Sequence, residues 1–250
     1  RNGSENLWIA NADGSEAKAI TTGEKQSYMS PIWEPDGDYL IAAKASQLWL
    51  YHKDGGSGVQ ITGHRETGAP APPSHMGPAF GSDSRYLWVN LRGNLGGGIS
   101  IAPPTAWDFS PEVLHSRRST VREVGAFQIG QMDRESGRVM VRTHETIGAF
   151  RPVPSPDGKW LVYSTRYEAR AVLKVLDLNT GEDHWLVMDV QRDDHQGGGS
   201  RDRDIYPGSA FTPDSKALIT SYDGKIMRVE VPSGEASVIP FTADVKQELG

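Results

Sequence analysis

The chain has 250 residues, 37% of them hydrophobic, with 28 glycines, 16 prolines and no cysteine, a composition that suits many short strands joined by tight turns around a sizeable core. A formal net charge of -6 without any Lys/Arg-rich run argues against nucleic acid and anionic membrane surfaces as partners. The absence of cysteine removes disulfides and thiolate chemistry and leaves the compartment open, and no apolar run is long enough to span a bilayer.

Arg1 to Ala10 lacks the basic-then-apolar pattern of a leader. Asn6 to Ala10, Asp13-Gly14 and Ala19 to Gly23 read as a hairpin, with Asp-Gly as its turn signal. It is the outer half of a first blade, 1–25. The next unit, 26–66, holds Trp33-Glu34-Pro35-Asp36-Gly37 before Leu40, then a second hairpin from Leu48-Trp49-Leu50-Tyr51 to Val59-Gln60-Ile61-Thr62. The third, 67–147, repeats the turn as Phe80, Ser82, Asp83, Ser84 and Leu87, and reaches its hairpin at Phe127 to Ile129 only after an insertion of roughly 30 residues placed at 91–126. The fourth, 148–204, carries the cleanest copy, Pro154-Ser155-Pro156-Asp157-Gly158 before Leu161. Its hairpin runs from Leu173-Lys174-Val175-Leu176 to His184-Trp185-Leu186-Val187 and ends in an irregular charged stretch, 189–204. The fifth, 205–241, has Phe211, Pro213, Asp214, Ser215 and Leu218, then Ile226 to Val229 and Ser237 to Ile239. A short linker, 242–250, follows.

The four copies align on their aspartates, with an aromatic or proline three positions before and a leucine four after. Proline pre-sets φ for such a turn, aspartate bonds its own backbone and glycine supplies φ > 0. Pro35, Asp36, Gly37, Asp83, Pro156, Asp157, Gly158, Pro213 and Asp214 are therefore structural turn residues. Ser84 and Ser215 in place of glycine predict turns that tolerate a side chain. Units of this length with four strands each point to an all-β fold, a β-propeller of four full blades plus a half blade, part of a larger ring. Leu40, Leu87, Leu161 and Leu218 are expected to be buried on equivalent second strands.

Catalytic signals are sparse. The seven histidines, at 52, 64, 75, 115, 144, 184 and 195, form neither a His-x-His pair nor a His-Glu-x-x-His helix face, as a hydrolytic zinc site requires. Only convergence of His75, His144 and His195 from different blades would build one. No Gly-x-Ser-x-Gly elbow or phosphate loop is present. Asp193, Asp194, Asp202 and Asp204 are interleaved with Arg192, Arg201 and Arg203 and lack calcium-loop spacing, so internal Arg-Asp pairing or plain solvation is expected. The strand tryptophans Trp8, Trp33, Trp49, Trp88, Trp160 and Trp185 are expected between blades. Trp107 and Phe109 in the insertion, with Arg192, Asp193, Asp194 and Arg201, form a candidate interaction loop.

The Pro-x-Trp/Phe-x-Pro-Asp-Gly-x-x-Leu skeleton resembles the propeller repeats of the TolB-like family. Arg151 to Tyr167, Asp177 to Asp204 and Phe211 to Glu248 resemble the N-terminal propeller of large secreted bacterial metal-dependent amidohydrolases. That resemblance implies a periplasmic or secreted location and a noncatalytic segment without cofactor. It also implies a downstream catalytic domain of the same parent chain as partner, with a divalent, zinc-like metal held there. The alternatives are a freestanding, protein-binding TolB-type propeller and a gating propeller of a serine peptidase.

Overall fold

In the computed structural model the described residues are 5–24, 26–64, 73–92, 99–100, 127–168, 170–192 and 208–242. They form an all-β propeller segment. The partial blade one is the pair β1 (Trp8–Ile9) and β2 (Lys18–Ala19). Blade two is the antiparallel meander β3 (Tyr28–Trp33), β4 (Tyr39–Lys44), β5 (Gln47–His52) and β6 (Val59–Gln60). Blade three contains β7 (Ser74–Phe80), β8 (Tyr86–Arg92), β9 (Ile99–Ser100), β10 (Gln128–Asp133) and β11 (Val139–Val141) in the order β7-β8-β10-β11-β9. Blade four runs through β12 (Phe150–Pro154), β13 (Trp160–Tyr167), β14 (Arg170–Asp177) and β15 (Asp183–Arg192). Blade five runs through β16 (Ala210–Phe211), β17 (Ala217–Tyr222), β18 (Lys225–Glu230) and β19 (Ala236–Ile239).

The repeated leucines hold these blades together. Leu40, Leu87, Leu161 and Leu218 lie on the second strands β4, β8, β13 and β17, and none is more than 4% exposed. Each full blade faces its predecessor with that leucine, and blades two to four face their successors with the next residue, because side chains alternate across a strand. The consequence is one apolar core per interface. Leu7 and Ile20 pack with Leu40 and Tyr51; Ile41 and Leu48 with Met76 and Leu87; Trp88 and Ile129 with Leu161 and Tyr163; Val162 and Val175 with Leu218 and Val229.

The turn chemistry follows proline. Where Pro35, Pro156 or Pro213 precedes the aspartate, the backbone bond runs from Gly37, Gly158 or Ser215 to the carbonyl of Glu34, Ser155 or Thr212, at 2.9, 3.0 and 2.9 Å. The residue after the aspartate is then left-handed, with φ of 79° at Gly37, 73° at Gly158 and 61° at Ser215. Ser215 thus departs from the expected side-chain-tolerant turn. Its hydroxyl accepts the Asp157 amide of blade four at 3.0 Å, a bond that helps hold the unfavourable φ. In blade three, where Ser82 replaces proline, the turn slides forward and closes from Tyr86 to Asp83 at 3.1 Å. All four aspartates accept an amide two residues on, at 2.9 to 3.2 Å.

A second repeat lies in the innermost strands. The register slips between Met29 and Ile32, Met76 and Ala79, and Phe150 and Val153. Each bulge carries a residue at positive φ, Ser30, Gly77 or Arg151, followed by Pro31, Pro78 or Pro152. Proline has no N–H for the ladder, so the strand buckles there.

The structure corrects three expectations. β8 continues through the fully buried Leu91 to Arg92, so the insertion starts after those residues. Part of it, β9, then returns as a fifth strand of its own blade, parallel to β11. The segment 189–192 belongs to β15 rather than to an irregular loop. Of the strand tryptophans only Trp88 is buried, while Trp8, Trp33 and Trp185 are exposed: Trp33 shares the face of its register partner Leu40, towards blade one, of which only β1 and β2 are described, and Trp185 lies on β15, the last strand of its blade.

Candidate functional site

The predicted turn residues stay in the turns and bring no reactive groups together. His75 is buried on β7, with Nδ1 3.0 Å from the Pro73 carbonyl, and desolvation lowers its pKa to about 4. His144 lies beyond β11, at the rim of a cleft. Among the described residues no three His, Cys, Asp or Glu side chains converge as metal ligands. Arg192 ends β15, paired in register with Arg170. Trp107, Phe109, Asp193, Asp194, His195, Arg201, Asp202 and Asp204 lie outside the described residues.

The chemistry collects instead between blades three and four. Register places Tyr163, Lys174 and Trp185 side by side across β13, β14 and β15, facing blade three. Deep in the interface Tyr163 is buried against Trp88 and Ile129. Towards the rim the apolar contact ends and a cavity of about 260 Å³ opens. One wall is 142–145; the other is Lys174, Asp183 and the 177–181 turn.

Lys174 spans the cleft. Its Nζ donates to Glu145 Oε1 at 2.8 Å and pairs with Asp183 Oδ1 at 2.6 Å, with the Trp185 ring centroid 4.9 Å away. Tyr163 OH donates to the same Glu145 oxygen at 2.8 Å. Burial works against the Lys174 ammonium, but the bonds to Asp183 and Glu145 outweigh it and hold its pKa above the ordinary lysine value. Burial, followed by the Glu145 charge, pushes the Tyr163 phenol well above its usual range. Both groups are thus held in their protonated forms by carboxylates at the interface. The arrangement joins the two blades.

Arg142 stands apart from this network. Its Nε and Nη2 donate to the neutral Gln131 Oε1 at 3.2 and 2.8 Å, and its guanidinium lies 5.8 Å from the Trp88 ring centroid. Desolvation depresses its pKa. It also lines a second, smaller cavity of about 160 Å³ beneath the anchor turns, with Ser82, Trp88 and Gly158.

Sequence reasoning did not find these residues. One signal was present: Lys174 interrupts the apolar run Ala171 to Leu176, and a charge in such a strand needs a partner. Its partner Glu145, 29 residues earlier, carries no local signal of its own.

No protein-family model matches the chain. Over 170 residues it is 28% identical to the uncharacterized peptidase YuxL of Bacillus subtilis, a match that covers 64% of this chain and 25% of YuxL. Among solved structures it resembles TolB from Acinetobacter baumannii, with a TM-score of 0.60 and 17% identity over 93% of this chain and 48% of that one. It also resembles an oligogalacturonate lyase in complex with manganese, with a TM-score of 0.56 and 13% identity over 94% of this chain and 58% of the lyase. These likenesses establish the TolB-like propeller fold. The chain spans about a quarter of the curated relative and about half of TolB.

Proposed function

We propose that this chain is the noncatalytic propeller part of a larger, secreted or periplasmic hydrolase acting on C–N bonds. It shapes access to a catalytic domain of the same parent chain and provides interdomain contact. The observation that carries this reading is the likeness to YuxL, in which a stretch of propeller size makes up a quarter of a peptidase. The cleft is consistent with it, since its lysine and tyrosine are engaged with carboxylates rather than poised for chemistry.

In the metal-dependent amidohydrolase form of this reading, a divalent, zinc-like ion belongs to the parent's catalytic domain; the described residues offer no three-ligand group for it. The test is to express the parent chain and this chain separately and assay amide and peptide hydrolysis with and without a chelator and a serine-directed inhibitor. The parent is expected to hydrolyse amides and this chain alone is not. Loss of activity with chelator supports an amidohydrolase, and loss with the serine reagent a peptidase. A parent that hydrolyses neither substrate class but captures a protein partner overturns the reading in favour of a freestanding TolB-type propeller.

A further inference from the structure

The cleft between blades three and four holds two kinds of cation. Lys174 is saturated by Glu145 and Asp183. Arg142, by contrast, has no carboxylate within ion-pair distance among the described residues; its hydrogen bonds end on a neutral amide and its face on an indole. A partly buried guanidinium without a counter-ion is costly, and its planar fork matches a carboxylate. Across the same cavity stand Asp177, whose Oδ1 accepts the Asn179 and Thr180 amides, and Asp183, whose Oδ1 pairs with Lys174 toward the open rim; the second oxygen of each carboxylate is left to supply negative charge.

The balance of charges selects the ligand. The lining carries two cations, Arg142 and Lys174, and three carboxylates, Glu145, Asp177 and Asp183. A simple anion reaching Arg142 meets those carboxylates, and a simple cation reaching the aspartates meets Arg142 and Lys174. A molecule bearing both charges satisfies each wall. The volume, about 260 Å³, admits only a small one.

We propose that this cleft binds a small zwitterion, an α-amino acid or dipeptide, with its carboxylate on Arg142 and its ammonium on the Asp177 and Asp183 wall. The site lies within one chain and does not depend on the chemistry of any catalytic domain.

Titration calorimetry on the purified chain, with glycylglycine, acetate and methylammonium as separate probes, tests this. Glycylglycine is expected to bind saturably, and each single-charge probe at least about tenfold more weakly. Arg142→Gln is expected to lose at least about tenfold in glycylglycine affinity while circular dichroism reports an unchanged fold. Asp183→Asn, at the rim, serves as the second variant and weakens glycylglycine without weakening acetate. No saturable binding of glycylglycine at millimolar concentration overturns the proposal. So does acetate binding as tightly as glycylglycine, or affinity unchanged in both variants.

Discussion

Blade four has two neighbours and meets them differently. Towards blade five a continuous apolar core, Val162, Leu173, Val175, Leu186 and Val190 against Leu218, Met227 and Val229, carries the contact, with polar bonds at its edges, from Asp157 to Ser215 and from His184 to the Pro232 carbonyl. Towards blade three it is apolar only in its inner half, around Trp88, Leu161 and Tyr163, and gives way outward to Glu145, Lys174, Asp183 and Arg142 around a cavity. The repeat skeleton dictates the inner rows, where equivalent leucines must fill equivalent space. The outer rows are released from that demand, and polar chemistry accumulates there.

The comparison breaks first if the two anchoring leucines are unequal. Leu161→Ala at the blade three side and Leu218→Ala at the blade five side should each cost about 2–5 kcal/mol in urea melts, since both are fully buried and leave cavities. A marginal loss at either site would mean that its interface is not a packed core. Next comes Lys174→Met, which strips Glu145 and Asp183 of their cation on one interface only. It should cost about 1–3 kcal/mol, and Glu145→Gln in the same chain should recover part of the loss.

Alkaline titration sharpens the contrast further. The pKa values of Lys174 and Tyr163 are both raised by folding, so their stabilisation is complete below the unfolded values, about 10.4 and about 10, and is lost as pH rises past them. The melting temperature should therefore fall more steeply above about pH 10 in the wild type than in Tyr163→Phe. The smallest effect belongs to the turn that joins blades four and five. Ser215→Ala removes the bond from the Asp157 amide and should cost about 0.5–1.5 kcal/mol. Ser215→Gly loses the same bond but relieves a φ of 61°, so it should cost less than alanine.

The legible part of this molecule is the part that repeats. Pro-Asp-Gly turns, the leucine four residues on and the Asp-Gly hairpin are local signals, and they sufficed for the propeller fold and for the four full blades among the described residues. A further repeat was readable but unread: Asn6 and Thr21, Gln47 and Thr62, and Gln128 and Thr143 stand 15 residues apart. In each pair the threonine hydroxyl donates to the amide side chain at 2.9 to 3.0 Å and accepts the amide of Leu7, Leu48 or Ile129. These bonds tie together hairpins whose outer strands have only two or three residues. The cleft was not legible, because Arg142, Glu145, Tyr163, Lys174 and Asp183 meet only after two blades have packed. Tryptophan misled for a related reason: its bulk marks a strand but not how far across the blade a neighbour reaches.

The buckled inner strands have a consequence for what can pair with the blade edges. Each innermost strand is a free sheet edge, and a free edge invites an extended peptide to add on by backbone pairing. At β3, β7 and β12 the prolines Pro31, Pro78 and Pro152 withhold a donor at the point where the bulge already throws the strand out of line. In blade five the edge among the described residues is the two-residue β16. Among the described residues the innermost strands therefore present no continuous ladder for an added strand, which protects these edges from intermolecular pairing.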